Sequence, residues 1–269
     1  MPEGDTVWRQ ARDLHRALAG ERLARSDFRV PSLAAVDLAG RVVEGVRAHG
    51  KHLLMDVSAG VVIHSHLGMD GIWHIYPTGD PAPRWRRPAH TARAVLRTER
   101  AVVVGFSLAT LEVVPATRLD DVVGRLGPDL LGPDWYPAEA LRRLRQDPAR
   151  PIGLALLDQR NLAGIGNIYR SELCFLGGVH PATPVGAVPD LVRMVELAKR
   201  LLEANKDRAV RSTTGGPSRG DGALWVYRLA GRPCKRCGSI IRHATLGDPA
   251  VPARPARDIY YCPRCQPVS

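Results

Sequence analysis

Two Cys-x2-Cys pairs near the C-terminus constrain this chain more than any other feature. They read CKRC at Cys234–Cys237 and CPRC at Cys262–Cys265. A two-residue spacing lets one tight turn supply two thiolates, and two such turns can close a tetrahedral shell around a metal ion. Four unrelated thiols or two disulfides are the competing reading, and a reducing compartment disfavours the disulfides. The expected ligand is a single structural Zn2+ with no open coordination position. A segment this short has little core of its own, so metal binding would drive its folding. The fifth cysteine, Cys174, lies in the apolar helical context SELCFLGG and is expected to be buried packing.

The texture of the rest changes along the chain. Val7, Trp8, Ala11, Leu14 and Leu18 recur at helical spacing after Gly4 or Asp5 as a cap, and Gly20 closes that helix. From Glu21 to about Val114 the segments are short, β-branched and bounded by turns, as in GKHLLMDV, GVVIHSHL, TARAVLRT and RAVVVGFS. This predicts a β-sandwich or flattened barrel with the first helix packed on it. The Pro/Gly/Asp-rich stretch PATRLDDVVGRLGPDLLGPDW reads as a linker. Beyond it the period becomes helical in PAEALRRLRQ, PIGLALLDQR, NIYRSELCFLGG and VPDLVRMVELAKRLLEANKD, and RSTTGGPSRGDG reads as a flexible connector. The expected domains are a sandwich over 1–115, a linker over 116–127, a helical domain over 128–216 and a metal-held hairpin over 217–269.

The 269 residues carry a net charge of +11, which favours a polyanionic partner, nucleic acid before anionic membrane. A solvated arginine-rich surface is the alternative. No basic amphipathic helix with an aromatic face supports the membrane reading, and no apolar run reaches the ~18 residues of a spanning helix. The start of the chain lacks a signal-peptide pattern. The expected compartment is the cytoplasm. Basic side chains around the knuckles (Lys235, Arg236, Arg242, Arg254, Arg257 and Arg264) suit a nucleic-acid-reading hairpin. In AGIGN, Gly164 and Gly166 allow close backbone approach, and Asn167 opens a helix whose free N–H groups suit phosphate.

Taken together, PEG at the N-terminus, GKHLL (Gly50–Leu54), HSHLGMDG (His64–Gly71), RLGPDLL (Arg125–Leu131), AGIGNIYRSE (Ala163–Glu172) and RDIYYCPRCQ (Arg257–Gln266) resemble the formamidopyrimidine-DNA glycosylase/endonuclease VIII family of base-excision repair enzymes. The resemblance spans nearly the whole chain. It implies an α+β multidomain fold: an N-terminal β-sandwich with a leading helix, a helix–two-turns–helix domain and a C-terminal zinc β-hairpin. It also implies a bifunctional DNA glycosylase/AP lyase acting on damaged double-stranded DNA as a monomer, at the bacterial nucleoid.

Residue by residue, the resemblance makes Pro2, freed of Met1, the amine nucleophile and Glu3 the acid at the sugar. Lys51 and Arg257 would hold phosphates and assist the eliminations. Asn167 and Arg125 would contact the DNA backbone, and Met69 would fill the void left by an extruded base. His64, His66 and His74 receive no role. Two departures point to the endonuclease VIII branch, whose usual substrates are oxidised pyrimidines. VVGFSLATLEVV stands where purine-excising members carry RRFG, and only GGPSRGDGAL stands where they carry a long base-capping segment. The same chemistry on oxidised purines, a non-enzymatic zinc-dependent DNA-binding protein and an RNA-binding regulator are the alternatives. The loop TLGDPAVPARP in the hairpin is longer than the family pattern and has no assigned role.

Overall fold

A computed structural model describes residues 2–79, 84–216, 222–248 and 255–267. The chain forms two compact units, Met1–Arg125 and Leu126–Ser269. No helix among the described residues is long and apolar enough to cross a membrane.

Among the described residues, the first unit opens with α1 (Gly4–Leu18), followed by eight strands: β1 (Arg25–Phe28), β2 (Val43–His49), β3 (His52–Val57), β4 (Val61–His66), β5 (Ile72–Pro77), β6 (Ala92–Arg97), β7 (Ala101–Phe106) and β8 (Thr110–Pro115). They form two antiparallel sheets, ordered β1-β6-β7-β5 and β2-β3-β4-β8. Alternation along the strands sends Leu53, Met55 and Val57 of β3 into the same core as Ala94 and Leu96 of β6. The apolar stripe of α1 (Val7, Ala11, Leu14, Leu18) completes that core.

Polar contacts fix the angle of the helix. Gln10 Oε1 accepts from Trp73 N at 2.9 Å, and His15 Nδ1 accepts from Val46 N at 3.1 Å. The latter sits beside a register shift between Val43 and Gly45, where β2 bends past the imidazole. The start of the chain is thereby held, rather than frayed. The helix boundary differs slightly from expectation: Glu3, not Gly4 or Asp5, occupies the N-cap position, and Asp5 Oδ1 accepts from Thr6 N at 2.7 Å inside the first turn.

The second unit follows the short helix α2 (Leu119–Val123) and contains α3 (Pro137–Leu144), α4 (Ile152–Ala155), α5 (Asn167–Leu176), α6 (Leu191–Asn205) and the hairpin β9 (Arg242–Leu246) with β10 (Arg257–Tyr261). Its main core gathers Leu141 and Leu144 of α3, Ile152 of α4, Leu173 of α5 and Val195 of α6. The stretch read as a linker holds more structure than expected. Besides α2, Gly127 N donates to Gln159 O at 2.8 Å, and Asp129 bridges Ala163. A side chain at 127 would meet the carbonyls of Asn161 and Arg160, so a glycine is required there.

The connector reading of RSTTGGPSRGDG also changes. Ser212 N donates to Asn205 Oδ1 at 2.7 Å, and Asn205 Nδ2 donates back to Ser212 O at 2.9 Å. Residues 211–216 are therefore stapled to the end of α6. Residues 217–221 of that stretch, and 249–254 of the long hairpin loop including Arg254, lie outside the described residues.

Candidate nucleic-acid interface and metal centre

In the first unit, Pro2 is half-buried at the head of α1. Glu3 is 0% exposed, although it is the third residue of the chain. Its carbonyl starts the helix by accepting from Thr6 N and Val7 N at 2.9 and 3.0 Å. Glutamates are almost never fully buried unless paired, and chain termini are ordinarily solvated.

Helix α1 packs on β2 and β3, whose two-residue turn carries Lys51. Gly50 at φ +57° fits the first position of a tight hairpin turn. That turn leaves Lys51 half-buried between His49 and His52. The loop after β4 presents Met69, 58% exposed. Gly71 N closes onto Leu67 O at 2.9 Å, and a Cβ at 71 would strike that carbonyl. Gly68 takes φ +63°, so two glycines force Met69 outward on a tight turn. A core methionine is thereby excluded. Arg125, the last residue of this unit, is exposed.

In the second unit, the AGIGN turn is built around Gln159. Its side chain donates to Leu157 O and Ile165 O at 2.8 and 2.9 Å and accepts from Gly164 N at 3.0 Å. Gly164 adopts φ +111°, and Gly166 caps α5, leaving half-buried Asn167 at its first turn. Exposed Arg257 begins β10, opposite Leu246. Arg170 brings these two positions together: its guanidinium donates both to Asn167 Oδ1 and to the carbonyl of Asp258, next to Arg257.

The four sulfur atoms of Cys234, Cys237, Cys262 and Cys265 lie within 4.8 Å of one another. The Cys237–Cys262 pair stands at 3.4 Å and the Cys234–Cys265 pair at 4.0 Å. A tetrahedral ion with metal–sulfur bonds of about 2.3 Å places its ligands about 3.8 Å apart, so the donor set fits a closed four-thiolate shell. Arg236 N and Cys265 N donate to Cys234 Sγ and Cys262 Sγ at 3.4 and 3.5 Å, as in tight knuckle turns.

Model descriptions of known families match both units. The formamidopyrimidine-DNA glycosylase N-terminal domain covers residues 1–107, and the formamidopyrimidine-DNA glycosylase H2TH domain covers residues 126–207. The chain is 54% identical to probable endonuclease 8 2 of Streptomyces coelicolor, over 99% of this chain and 94% of that protein. The chain belongs to the formamidopyrimidine-DNA glycosylase/endonuclease VIII family.

Several of its relatives within that family are named endonuclease 8. It is 46% identical to the DNA-(apurinic or apyrimidinic site) lyase Nei2 of Mycolicibacterium smegmatis, over the full length of both chains. It is 32% identical to endonuclease 8 of Escherichia coli, over 99% of this chain and 100% of that one. The fold matches Lactococcus lactis Fpg, solved in complex with abasic-site DNA, with a TM-score of 0.80 at 21% identity over 99% and 100% of the chains.

Sequence reasoning missed several buried polar groups of this family member. Glu172 is fully buried and accepts from Trp225 N at 2.8 Å, from Val226 N and Tyr227 N at 2.9 Å, and from the Thr213 hydroxyl. The motif AGIGNIYRSE contains Glu172, but its partners lie 41 to 55 residues away in sequence, where no spacing rule reaches. Arg236, expected among the nucleic-acid-facing cations, instead stacks over Phe175 at 4.4 Å and Trp225 at 5.7 Å. Of the histidines without roles, His64 joins a polar chain: its Nδ1 pairs with Glu112 Oε2 at 2.9 Å and its Nε2 with His52 Nδ1 at 2.9 Å, whereas His66 Nδ1 accepts from Gly68 N and His74 Nδ1 pairs with the Tyr76 hydroxyl, both at 3.1 Å. Burial first, then the neighbouring His64 and His66, pushes His52 down to about 3. Cys174 is fully buried, and burial pushes its thiol up to about 12.

Proposed function

We propose that the chain is a bifunctional DNA glycosylase/AP lyase of base-excision repair that removes oxidised pyrimidines from damaged double-stranded DNA. The observation that carries this reading is the fully buried Glu3 carboxylate beside Pro2 at the head of α1. A terminal acid is costly to bury, and an acid adjacent to a terminal secondary amine is what the chemistry needs.

Removal of Met1, which lies outside the described residues, would leave Pro2 with a free secondary amine. Terminal amines titrate near about 7.7–8.0, so a neutral fraction exists at neutral pH and acts as nucleophile. Its lone pair attacks the sugar C1′, the C1′–N bond to the base breaks, and the base leaves with its electron pair and takes up a proton. Glu3 serves as the acid at the sugar ring. The attached amine loses its proton, the C1′–O4′ bond breaks with its electron pair going to O4′, which Glu3 protonates, and C1′ is left as an iminium on the Pro2 nitrogen. That iminium acidifies the C2′ proton; its loss expels the 3′ phosphate in β-elimination, and a second elimination expels the 5′ phosphate. Water finally releases the sugar remnant from Pro2.

Lys51 and Arg257 hold the phosphates flanking the lesion and assist these eliminations. Asn167 and Arg125 contact the same backbone. The base must leave the stack to be reached, and exposed Met69 on its rigid loop supplies an apolar wedge for the void. Cys234, Cys237, Cys262 and Cys265 hold one structural Zn2+, which supplies folding energy to the hairpin bearing Arg257. The sandwich 1–115, linker 116–127, helical domain 128–216 and hairpin domain 217–269 are the working divisions. The enzyme acts as a monomer in the bacterial cytoplasm.

Borohydride trapping on duplexes with single lesions tests the reading. A covalent adduct is expected with the processed protein and is lost when an uncleaved N-terminal extension blocks Pro2. Glu3→Gln is expected to lose base excision while retaining cleavage of a pre-formed abasic site. Full activity with a blocked terminus would overturn the mechanism. Faster turnover of formamidopyrimidine than of oxidised pyrimidines would reassign the substrate while leaving the mechanism intact.

A further inference from the structure

The outer face of the β1-β6-β7-β5 sheet carries a cleft of about 500 Å3 that this chemistry leaves unused. Its walls bring four guanidinium groups, from Arg25, Arg29, Arg87 and Arg97, against the single carboxylate of Asp27. Arg29 takes that carboxylate at 2.9 Å and lies over the Trp85 ring, 5.3 Å from its centroid. Among the described residues, Arg25, Arg87 and Arg97 then have no carboxylate partner.

Two of these cations stand in an unfavourable register. Arg25 on β1 is directly opposite Arg97 on β6, and both line the cleft. Like charges directly opposite in an antiparallel pair destabilise it. Residues that cost the fold something without structural return are the signature of a site built for a ligand. The missing charge is an anion.

The floor decides which anion. It consists of Val95, Val102 and the Trp85 indole. One face of that indole is taken by Arg29, and Phe106 packs against the ring at 5.6 Å and 78°. Branched aliphatic side chains give a nucleobase no stacking platform, whereas they bury an apolar side chain well. Guanidinium forks on the walls match carboxylates in a bidentate manner. We propose that this cleft docks an acidic peptide segment of a partner protein, with one bulky apolar side chain on the valine floor and flanking carboxylates on Arg25, Arg87 and Arg97.

The probe is a fluorescein-labelled synthetic peptide, Asp-Asp-Leu-Asp-Phe-Asp, titrated with the full chain by anisotropy. Saturable binding is expected, weakened at least tenfold in the Arg25→Ser/Arg97→Ser double variant. Replacing Leu and Phe of the peptide by Ser should weaken it comparably, while binding of an abasic duplex to the double variant stays unchanged. Equal peptide affinity in wild type and double variant would overturn the proposal. So would a double variant that loses single-stranded oligonucleotide binding together with the peptide, which would assign the cleft to nucleic acid. Thermal melting gives an independent reading: relieving the Arg25–Arg97 repulsion should raise the midpoint of the ligand-free double variant. A lowered midpoint would mean that the arginines serve the sheet itself and would remove the reason to expect an anion.

Discussion

Replacing Glu172 by Gln tests how the cysteine-bearing hairpin region is held to the helical core. The carboxylate is fully buried on α5, and each oxygen has two donors. Oε1 accepts from Val226 N and Tyr227 N, and Oε2 from Trp225 N and the Thr213 hydroxyl. Glutamine keeps the shape but offers one acceptor oxygen. Its best orientation leaves that oxygen on Val226 and Tyr227. The amide NH2 then faces the Thr213 hydroxyl, which can rotate to accept, and Trp225 N–H, which cannot.

One orphaned buried donor costs about 1–3 kcal/mol, and the two surviving bonds each lose about 1 kcal/mol on becoming neutral. Burying an amide instead of a carboxylate recovers part of this. The net expectation is about 2–4 kcal/mol in the local opening equilibrium, roughly a 30- to 700-fold rise in the open fraction at 1.4 kcal/mol per decade. Hydrogen exchange with mass spectrometry reads it directly, on peptides covering 222–230 in the native protein. Exchange there should accelerate by that factor, while peptides from β3 and β4 stay unchanged. Exchange at 225–227 within threefold of wild type would show that Glu172 is not the tether the geometry describes.

Lys51, Arg125 and Arg257 should each contribute about 0.9 to the slope of log K against log salt for a damaged duplex, so replacing any one with Ala should flatten the slope by about one unit; an unchanged slope removes that residue from the contacts. Replacing any one of Cys234, Cys237, Cys262 or Cys265 by Ser should release the bound metal, measured by elemental analysis, and leave the sandwich folded by circular dichroism while abasic-site cleavage falls; normal cleavage by a metal-free protein would make the hairpin dispensable. His52 should make the protein acid-sensitive. Its ordinary value of 6.5 falls to about 3 in the fold, chiefly through burial. As pH drops below 6.5 the unfolded chain binds the proton first, so stability declines from there down to about 3 and is not lost further below it. Melting midpoints between pH 7.5 and 4.5 should fall more steeply for the wild type than for His52→Gln, and parallel curves would refute the assignment.

What was legible in the sequence was local. The two knuckles declare their sulfur cluster because each pair is three residues apart, and the geometry needs only a tight turn. The leading helix is legible in the spacing of Val7, Ala11, Leu14 and Leu18, and all four reach the sandwich core. The strands follow from β-branched runs between turns. What failed to show was pairing at a distance. PATRLDDVVGRLGPDLLGPDW looks like a linker because Pro, Gly and Asp punctuate it, yet Gly127 and Asp129 pair with 159–163 through backbone groups that composition cannot report. RSTTGG looks flexible for the same reason, while Asn205 fixes its backbone from the end of α6. The cleft at Arg25 and Arg97 was invisible because the two residues are opposite only once the β1–β6 register is known.

Helix α5 shows why a motif can be recognised correctly and still be understood too narrowly. Eight of its ten residues are buried, including a charged pair that an ordinary amphipathic helix would turn to water. Tyr169, Leu173 and Cys174 enter the helical core. Phe175 enters a different cluster, with Val226, Ile241 and the knuckle cysteines Cys234 and Cys262. Between these two apolar surfaces Arg170 reaches Asn167 and the carbonyl of Asp258, and Glu172 gathers the amides of 225–227. The same ten residues therefore present a helix N-terminus suited to phosphate and hold the hairpin that carries Arg257. A substitution at Arg170 would disturb Asn167 and the strand bearing Arg257 together, although Arg170 itself is buried away from solvent. The motif encodes the relative placement of Asn167 and of the strand that begins with Arg257 as much as it encodes either of them.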